Sequence, residues 1–293
     1  MPSPSVPGVV AMLRASRPYS WINTALPFLA VALLTGRVTA AVVLGTVYFL
    51  LPYNLLLYGV NDLFDYESDR RNPRKGGAIE GGLVPPAQAR RMLLTIAATN
   101  VPLLLAMAWL AGPVAAGVLA FTVLAAVSYS APPLRLKERP FLDSLNSSLH
   151  FVLPPVCGGL LAGAHLSALP WRFLLAFLLW GMASQALGAI QDVEYDRAAG
   201  IGSIAAWLGG RATAVAAFGV YLLAGVFTAT GGGPALVAAV VVLPYAALAL
   251  IATRQARTAW RGFLGLNLVA GCFLTLLLLQ INGVFHERLG TPA

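Results

Sequence analysis

Charge is scarce in this chain. Of its 293 residues, 10% are charged, against about 25% in a typical soluble domain. That shortage excludes an ordinary solvated surface. Acids are the rarer sign, 11 against 19 Lys and Arg. A net charge of +8 and a pI near 9.9 would suit nucleic acid in a polar chain. A mean hydropathy of +0.78 argues for membrane topology instead, and no nucleic-acid partner is expected. The two cysteines, Cys157 and Cys272, lie in apolar runs far apart. They exclude a disulfide framework and a zinc spacing and read as small buried hydrophobes. The three histidines, His150, His165 and His286, sit in no recognisable Ser or Cys catalytic motif, so hydrolysis by a triad is unsupported. The Gly231–Gly233 run lacks the following Lys-Ser/Thr of a phosphate loop.

Long apolar runs are abundant. They recur at about 20 residues, the length that spans a bilayer as a helix. Helices pair their own backbone groups, so they are the natural spanning element in lipid. The expected spans are 19–36, 39–60, 90–111, 113–130, 144–164, 170–191, 212–230, 234–252 and 260–283. Arg14 and Arg17 ahead of the first run mimic a signal peptide. The polar residues Asn23 and Thr24 and the second span close behind it favour an uncleaved helix. With nine spans, 16 of the 19 Lys and Arg fall on one side. The positive-inside rule makes that side cytoplasmic. The expected fold is an all-α polytopic membrane protein forming one domain over 1–293. Its N-terminal segment, 1–18, and the loops 61–89, 131–143 and 192–211 would be cytoplasmic, and its C-terminus would lie on the opposite side.

Ten of the 11 acids share that cytoplasmic side. Acids contribute little to topology, so their clustering needs another cause. "NDLFDYESDRRNP", from Asn61, holds Asp62, Asp65, Glu67 and Asp69. "QDVEYD", from Gln191, holds Asp192, Glu194 and Asp196. Each patch closes an even-numbered span and opens on an amide followed by Asp. Asn54 and Gln185 stand seven residues before Asn61 and Asp192, about two helical turns. This echo suggests two pseudo-repeated four-helix halves plus a ninth span. On a continuous helix Asp62, Asp65 and Asp69 would share a face. Clustered carboxylates repel unless a cation joins them. Mg²⁺ is the hard cation commonly held by one or two carboxylates plus substrate phosphates. Arg70, Arg71, Arg74 and Lys75 flank the first patch, Arg197 the second, and Arg135, Lys137 and Arg139 form a third basic loop. Carboxylates, Mg²⁺ and cations together describe a diphosphate site at a membrane surface.

The first motif resembles the Asp-rich motif of the UbiA superfamily of intramembrane prenyltransferases. "QDVEYD" resembles its second motif, and "YSAPPLRLKERP", Tyr129 to Pro140, resembles the loop between its fourth and fifth helices. "SRPYSWINTALPF" and "NPRKGG" are similar to the lycopene elongase branch, associated with C50 carotenoid pathways. The resemblance implies a UbiA-like bundle. It implies that Asn61, Asp62, Asp65 and Asp69 bind one Mg²⁺ and that Asp192 and Asp196 bind a second. It implies diphosphate contacts from Lys137, Arg135, Tyr129, Ser130, Arg70 and Arg17, with Asp62, Asp65, Asp192, Asp196 and Lys137 catalytic. The reaction implied is Mg²⁺-dependent transfer of a dimethylallyl group to a lipophilic acceptor entering from the bilayer, with lycopene the expected acceptor.

Phe49, Tyr53 and Phe64 are candidate faces for an allylic cation, but each reads first as a packing or lipid-facing side chain. Asn54 and Gln185 either line the chamber or bond between helices. Asp143 is a candidate acid paired with Arg139. A quinone or lipid prenyltransferase and an intramembrane terpene cyclase are alternatives. A transporter fits less well, because ionisable residues on transport paths lie inside the bilayer.

Overall fold

The computed structural model describes residues 13–71 and 82–281. Arg74, Lys75, His286, Glu287 and Arg288 lie outside the described residues. A 3-10 turn over Pro18–Asn23 leads into α1 (Ala25–Thr35). The chain continues through α2 (Ala40–Leu50), α3 (Pro52–Phe64), the single-turn α4 (Tyr66–Asp69), α5 (Pro86–Ser130) and α6 (Leu142–Leu161). Next come α7 (Trp171–Ala189), α8 (Val193–Ala199) and α9 (Ile204–Leu208). The last four are α10 (Gly210–Ala229), α11 (Pro234–Val240), α12 (Val242–Ala252) and α13 (Ala256–Ile281).

The helix ends follow local chemistry. The Thr39 hydroxyl accepts the Val42 amide at the start of α2, and Ser203 accepts the Ala206 amide at the start of α9. Such caps satisfy an otherwise unpaired amide. Pro52, Pro86 and Pro234 open their helices, where a missing N–H costs nothing. Gly112 has a φ of 82° and bends α5 in the middle.

Packing closes the bundle on itself. α1 lies on α6, α6 on α7, α7 on α10, α10 on α12 and α12 on α13, and α13 returns to α1. α2, α3 and α5 form a second layer beside α1 and α6. Gly158 lets α6 approach the α1 backbone at Phe28, where a Cβ would collide with the carbonyl. One apolar core gathers Phe28, Tyr48, Phe49 and Tyr53. The other gathers Trp180, Tyr221, Tyr245 and Phe263. Phe177 on α7 packs against both. Outside, Trp109, Leu105 and Val269 are exposed, a surface suited to lipid. The protein is an all-α integral membrane protein.

Six helical stretches among the described residues are long and apolar enough to cross a membrane, against nine expected. The reasons are physical. The expected span 19–36 breaks at Thr24, leaving an 11-residue α1. The spans 90–111 and 113–130 run together as the 45-residue α5. α6 replaces 144–164, and its buried Ser144, Asn146, Ser147, Ser148 and His150 dilute its apolar character.

Candidate active site

α3 ends at Phe64, the backbone turns at Asp65, and α4 restarts at Tyr66. The Asp65 amide donates to the Asn61 carbonyl and the Asp69 amide to the Asp65 carbonyl, so helical bonding runs through the turn. Asp65 and Asp69 line a cavity of about 310 Å³ together with Asn61, while Asp62 does not. All three acids are buried, and Asp62 reaches the cavity through Arg17, which lines it. Asp62 is buried and accepts from Arg17 Nη2 at 2.8 Å and from the Gly82 amide at 3.0 Å. Arg17 lines the cavity, and its guanidinium sits 4.3 Å over the Tyr58 ring. Its φ of 49° is left-handed, a cost of order 1–3 kcal/mol that surrounding contacts must offset. Burial pulls the Arg17 pKa down, but Asp62, Tyr58 and Tyr19 outweigh it and raise it.

The second patch reaches the same cavity from α7. A 3-10 turn over Ile190–Asp192 precedes α8 and places Gln191, Asp192 and Asp196 on the wall. Ser203 donates to Asp196 Oδ2 at 2.8 Å. Lys137, from the loop between α5 and α6, contacts Asp65 directly. Burial pushes its ammonium down to about 8, against the upward pull of Glu138, Asp196 and Asp62.

Below this rim the wall turns less polar. Ser147 donates to Gln185 Oε1 at 3.0 Å, and Gln185 Nε2 donates to the Tyr129 hydroxyl at 2.9 Å. His150 packs edge-on to Tyr129 at 5.2 Å, with Nε2 3.2 Å from the Ala125 carbonyl. Phe151, Trp180, Trp260 and Phe263 complete the depth. A charged rim over an aromatic interior can hold an ionic head and an apolar chain at once.

Not every expected residue comes to this wall. Ser130 stands behind it, donating to Asn61 Oδ1 at 2.8 Å. Arg70 pairs with Glu67 at 2.8 Å, and Arg135 pairs with Glu138. Neither arginine lines the cavity. The Asp143 carboxylate does not face Arg139. It accepts the Ser144 and Ile204 amides at 2.7 and 2.8 Å, tying the 131–143 loop to α9, while Arg139 Nε donates to the Leu134 carbonyl. Phe49 and Tyr53 pack against each other in the core, and Phe64 is exposed. None of the three lines the cavity. Asn54 donates to Thr24 Oγ1 and the Phe49 carbonyl, joining helices, whereas Gln185 both bonds and lines the chamber. Sequence reasoning missed Gln191, His150, Trp180 and Trp260 as wall residues. Gln191 alone carried a signal, as the amide preceding Asp192.

The donors suit a hard cation. Asn61, Asp65, Asp69, Gln191, Asp192 and Asp196 all offer oxygen on one wall. Gln191 Oε1 is buried without a hydrogen-bond partner, an acceptor waiting for a cation or donor. Among the described residues no three carboxylate, His or Cys side chains converge into a closed metal cage. Mg²⁺ needs no such cage when substrate phosphates complete its shell.

Residues 22–279 match the UbiA prenyltransferase family. The chain belongs to that family. Among its UbiA relatives, a lycopene elongase/hydratase of Corynebacterium glutamicum is 43% identical over 93% of this chain and 98% of its own. The C(50) beta-cyclic carotenoids biosynthesis protein LbtBC of Dietzia sp. (strain CQ4) is 46% identical over 94% of this chain and 66% of its own. A UbiA homologue from Archaeoglobus fulgidus bound to DMAPP and Mg²⁺ shares the fold. Its TM-score is 0.73 at 19% identity, over 93% of this chain and 99% of that one.

Proposed function

We propose that this UbiA protein transfers a dimethylallyl group from its diphosphate to the end of lycopene, as in C50 carotenoid biosynthesis. The observation that carries this reading is the single cavity on which both carboxylate patches and Lys137 converge above aromatic side chains. The relatives named lycopene elongase/hydratase supply the acceptor.

In this reading Asn61, Asp65 and Asp69 would hold one Mg²⁺, and Asp192 and Asp196, with Gln191, a second. Asp62 would support the first group through Arg17. Bound Mg²⁺ supplies charge stabilisation for the leaving diphosphate. Lys137 and Arg17 would meet the same negative charge at the rim. The allylic C–O bond breaks, and its electron pair leaves with the diphosphate. The terminal alkene of lycopene supplies the electron pair of the new C–C bond, leaving a tertiary cation. Loss of a proton, or capture of water followed by loss of a proton, ends the reaction. Tyr58, Tyr129, Trp180 and Trp260 replace Phe49, Tyr53 and Phe64 as the rings that face the cation. The buried chamber excludes bulk water that would otherwise quench it.

The proposal includes nine crossings. α5 counts twice, bent at Gly112; the Pro18–Asn23 turn with α1 counts once, and so does the polar-lined α6. Nine crossings place the carboxylate rim on the cytoplasmic side. The two four-helix halves remain part of this proposal, supported by the matched carboxylate patches.

The test uses membranes containing the protein, dimethylallyl diphosphate, Mg²⁺ and lycopene, with products read by mass spectrometry. A gain of one or two C5 units on lycopene supports the reading. Transfer to an aromatic or glycerol-lipid acceptor instead would move the protein to a quinone or lipid branch. A hydrocarbon formed from prenyl diphosphate alone would make it a cyclase.

A further inference from the structure

A second cavity, of about 360 Å³, opens between α1, α7, α10, α11, α12 and α13. Pro27, Phe173, Thr228, Ala238 and Thr275 are among its walls. No Asp, Glu, Lys, Arg or His among the described residues lines it. It lies toward the opposite end of the bundle from the carboxylates. On α7 the second cavity takes Phe173, Ala176 and Phe177, whereas the first takes Ser184, Gln185 and Gly188. Asn23, Trp180 and Asn267 line both. The two cavities therefore meet at a neck of one aromatic and two amide side chains. From Pro170 to Asp192, the reach of both cavities along this segment is roughly 30 Å at about 1.5 Å per residue. That is on the order of the hydrocarbon thickness of a bilayer.

Aromatic rings run through the neck. Phe177 stacks on Trp180 at 5.3 Å and 19°, and Trp180 on Phe263 at 6.0 Å and 24°. Phe263 stacks on Trp260 at 4.9 Å and 8°. Phe177 faces the second cavity, Trp260 and Phe263 the first, and Trp180 both. These near-parallel rings cover one another's faces and form a column whose edges run from the second cavity to the first. A flat conjugated chain lying along the column offers its π face to those ring edges, the edge-to-face arrangement that aromatic quadrupoles favour. A flexible saturated chain has no π system to match it. A five-carbon donor anchored at the rim ends within the first cavity, so the second needs another occupant.

We propose that the second cavity and its aromatic stack hold the unreacted length of a conjugated polyene acceptor. The acceptor's reacting end passes the neck of Asn23, Trp180 and Asn267 into the first cavity. This inference rests on the elongase reading above. Phe177 and Trp180 act as positioning and specificity residues, not as groups that ionise the donor. Acceptor length is measured by the second cavity, and donor length by the first.

The test pairs binding with turnover in purified protein. Bound lycopene in a chiral aromatic channel acquires an induced circular dichroism band. Ala238→Phe on α11 and Thr275→Phe on α13 narrow the cavity from separate helices. Each should weaken the lycopene band and raise the lycopene KM at least tenfold, with the KM for dimethylallyl diphosphate within twofold of wild type. Asp65→Ala should keep the band while losing turnover. Unchanged lycopene KM and band in both narrowing variants, with wild type still elongating lycopene, would overturn the channel and leave the elongase reading standing. An increased KM for dimethylallyl diphosphate with that for lycopene unchanged would assign the cavity to the donor. A phospholipid retained by wild type in native mass spectrometry, and not displaced by lycopene, would make the cavity a lipid site. Folded wild type that neither binds nor elongates lycopene would sink both readings together.

Discussion

Asp65 and Asp69 are 5% and 8% exposed, whereas Asp192 and Asp196 are only half-buried. The two carboxylate patches look alike in sequence and differ in surroundings. In the first, Asp62 is bound by Arg17 and Asp65 by Lys137, both cations drawn from distant segments. In the second, Asp196 accepts from the nearby Ser203 hydroxyl, and Glu194 faces outward. A buried pair broken by removing one partner costs about 3–5 kcal/mol, because the other charge stays uncompensated. A partly solvated acid carries far less of that penalty. On the proposed reading the first patch would couple catalysis to stability more strongly than the second.

The largest effects should test that coupling. Asp65→Ala and Asp192→Ala should each reduce turnover by at least about 10²–10³-fold, the scale of losing one electrostatic contact to a developing charge. Thermal unfolding in detergent should separate them: Asp65→Ala lowers Tm by stranding Lys137, and Asp192→Ala leaves Tm near wild type. Equal Tm losses would erase the distinction between the patches.

Lys137→Met comes next. It should lower turnover by about 10²-fold and also lower Tm, since Asp65 is left buried beside an apolar side chain. A Lys137→Met protein with wild-type kcat/KM would remove Lys137 from the diphosphate site.

Asp143→Ala should reverse the balance. Its carboxylate ties two backbone amides, and leaving buried donors unpaired costs about 1–3 kcal/mol. Tm should fall while turnover per folded molecule stays within about threefold. A collapse of turnover with unchanged Tm would return Asp143 to the chemistry.

The smallest effects belong to Arg70→Ala and Glu194→Ala. Arg70 pairs with Glu67 away from the cavity, and Glu194 is exposed. Exposed pairs contribute about 0–1 kcal/mol, so both variants should keep turnover within twofold. A tenfold increase in the KM for dimethylallyl diphosphate in Arg70→Ala would place that arginine on the substrate.

Much of the site was readable before folding. The amide-Asp openings at Asn61 and Gln191 marked both patches, and Lys137 stood out in a basic loop. Arg70 and Arg135 looked equally suited by charge and proximity in sequence, yet each is bound by an acid three residues away. Local i,i+3 pairing competed with the site and could not be ranked without geometry. The aromatic candidates needed geometry for a related reason: packing was the first reading of each, and Phe49 and Tyr53 are fully buried. Phe49 and Tyr53 lie on the helices that lead to the first motif, but they point into the packed core. Trp260 and Phe263, some 200 residues away in sequence, line the cavity instead.

By itself the sequence determined the helices, the membrane environment and the end of the bundle that carries charge. Those properties follow from transfer and backbone-pairing energies that act on each short segment alone. Only the tertiary structure decided which acid faces the cavity, which cation it meets, and that two cavities share Trp180 as a wall. Arg17 and Lys137 reach the acids from distant segments, and the return of α13 onto α1 brings together residues that no spacing rule connects.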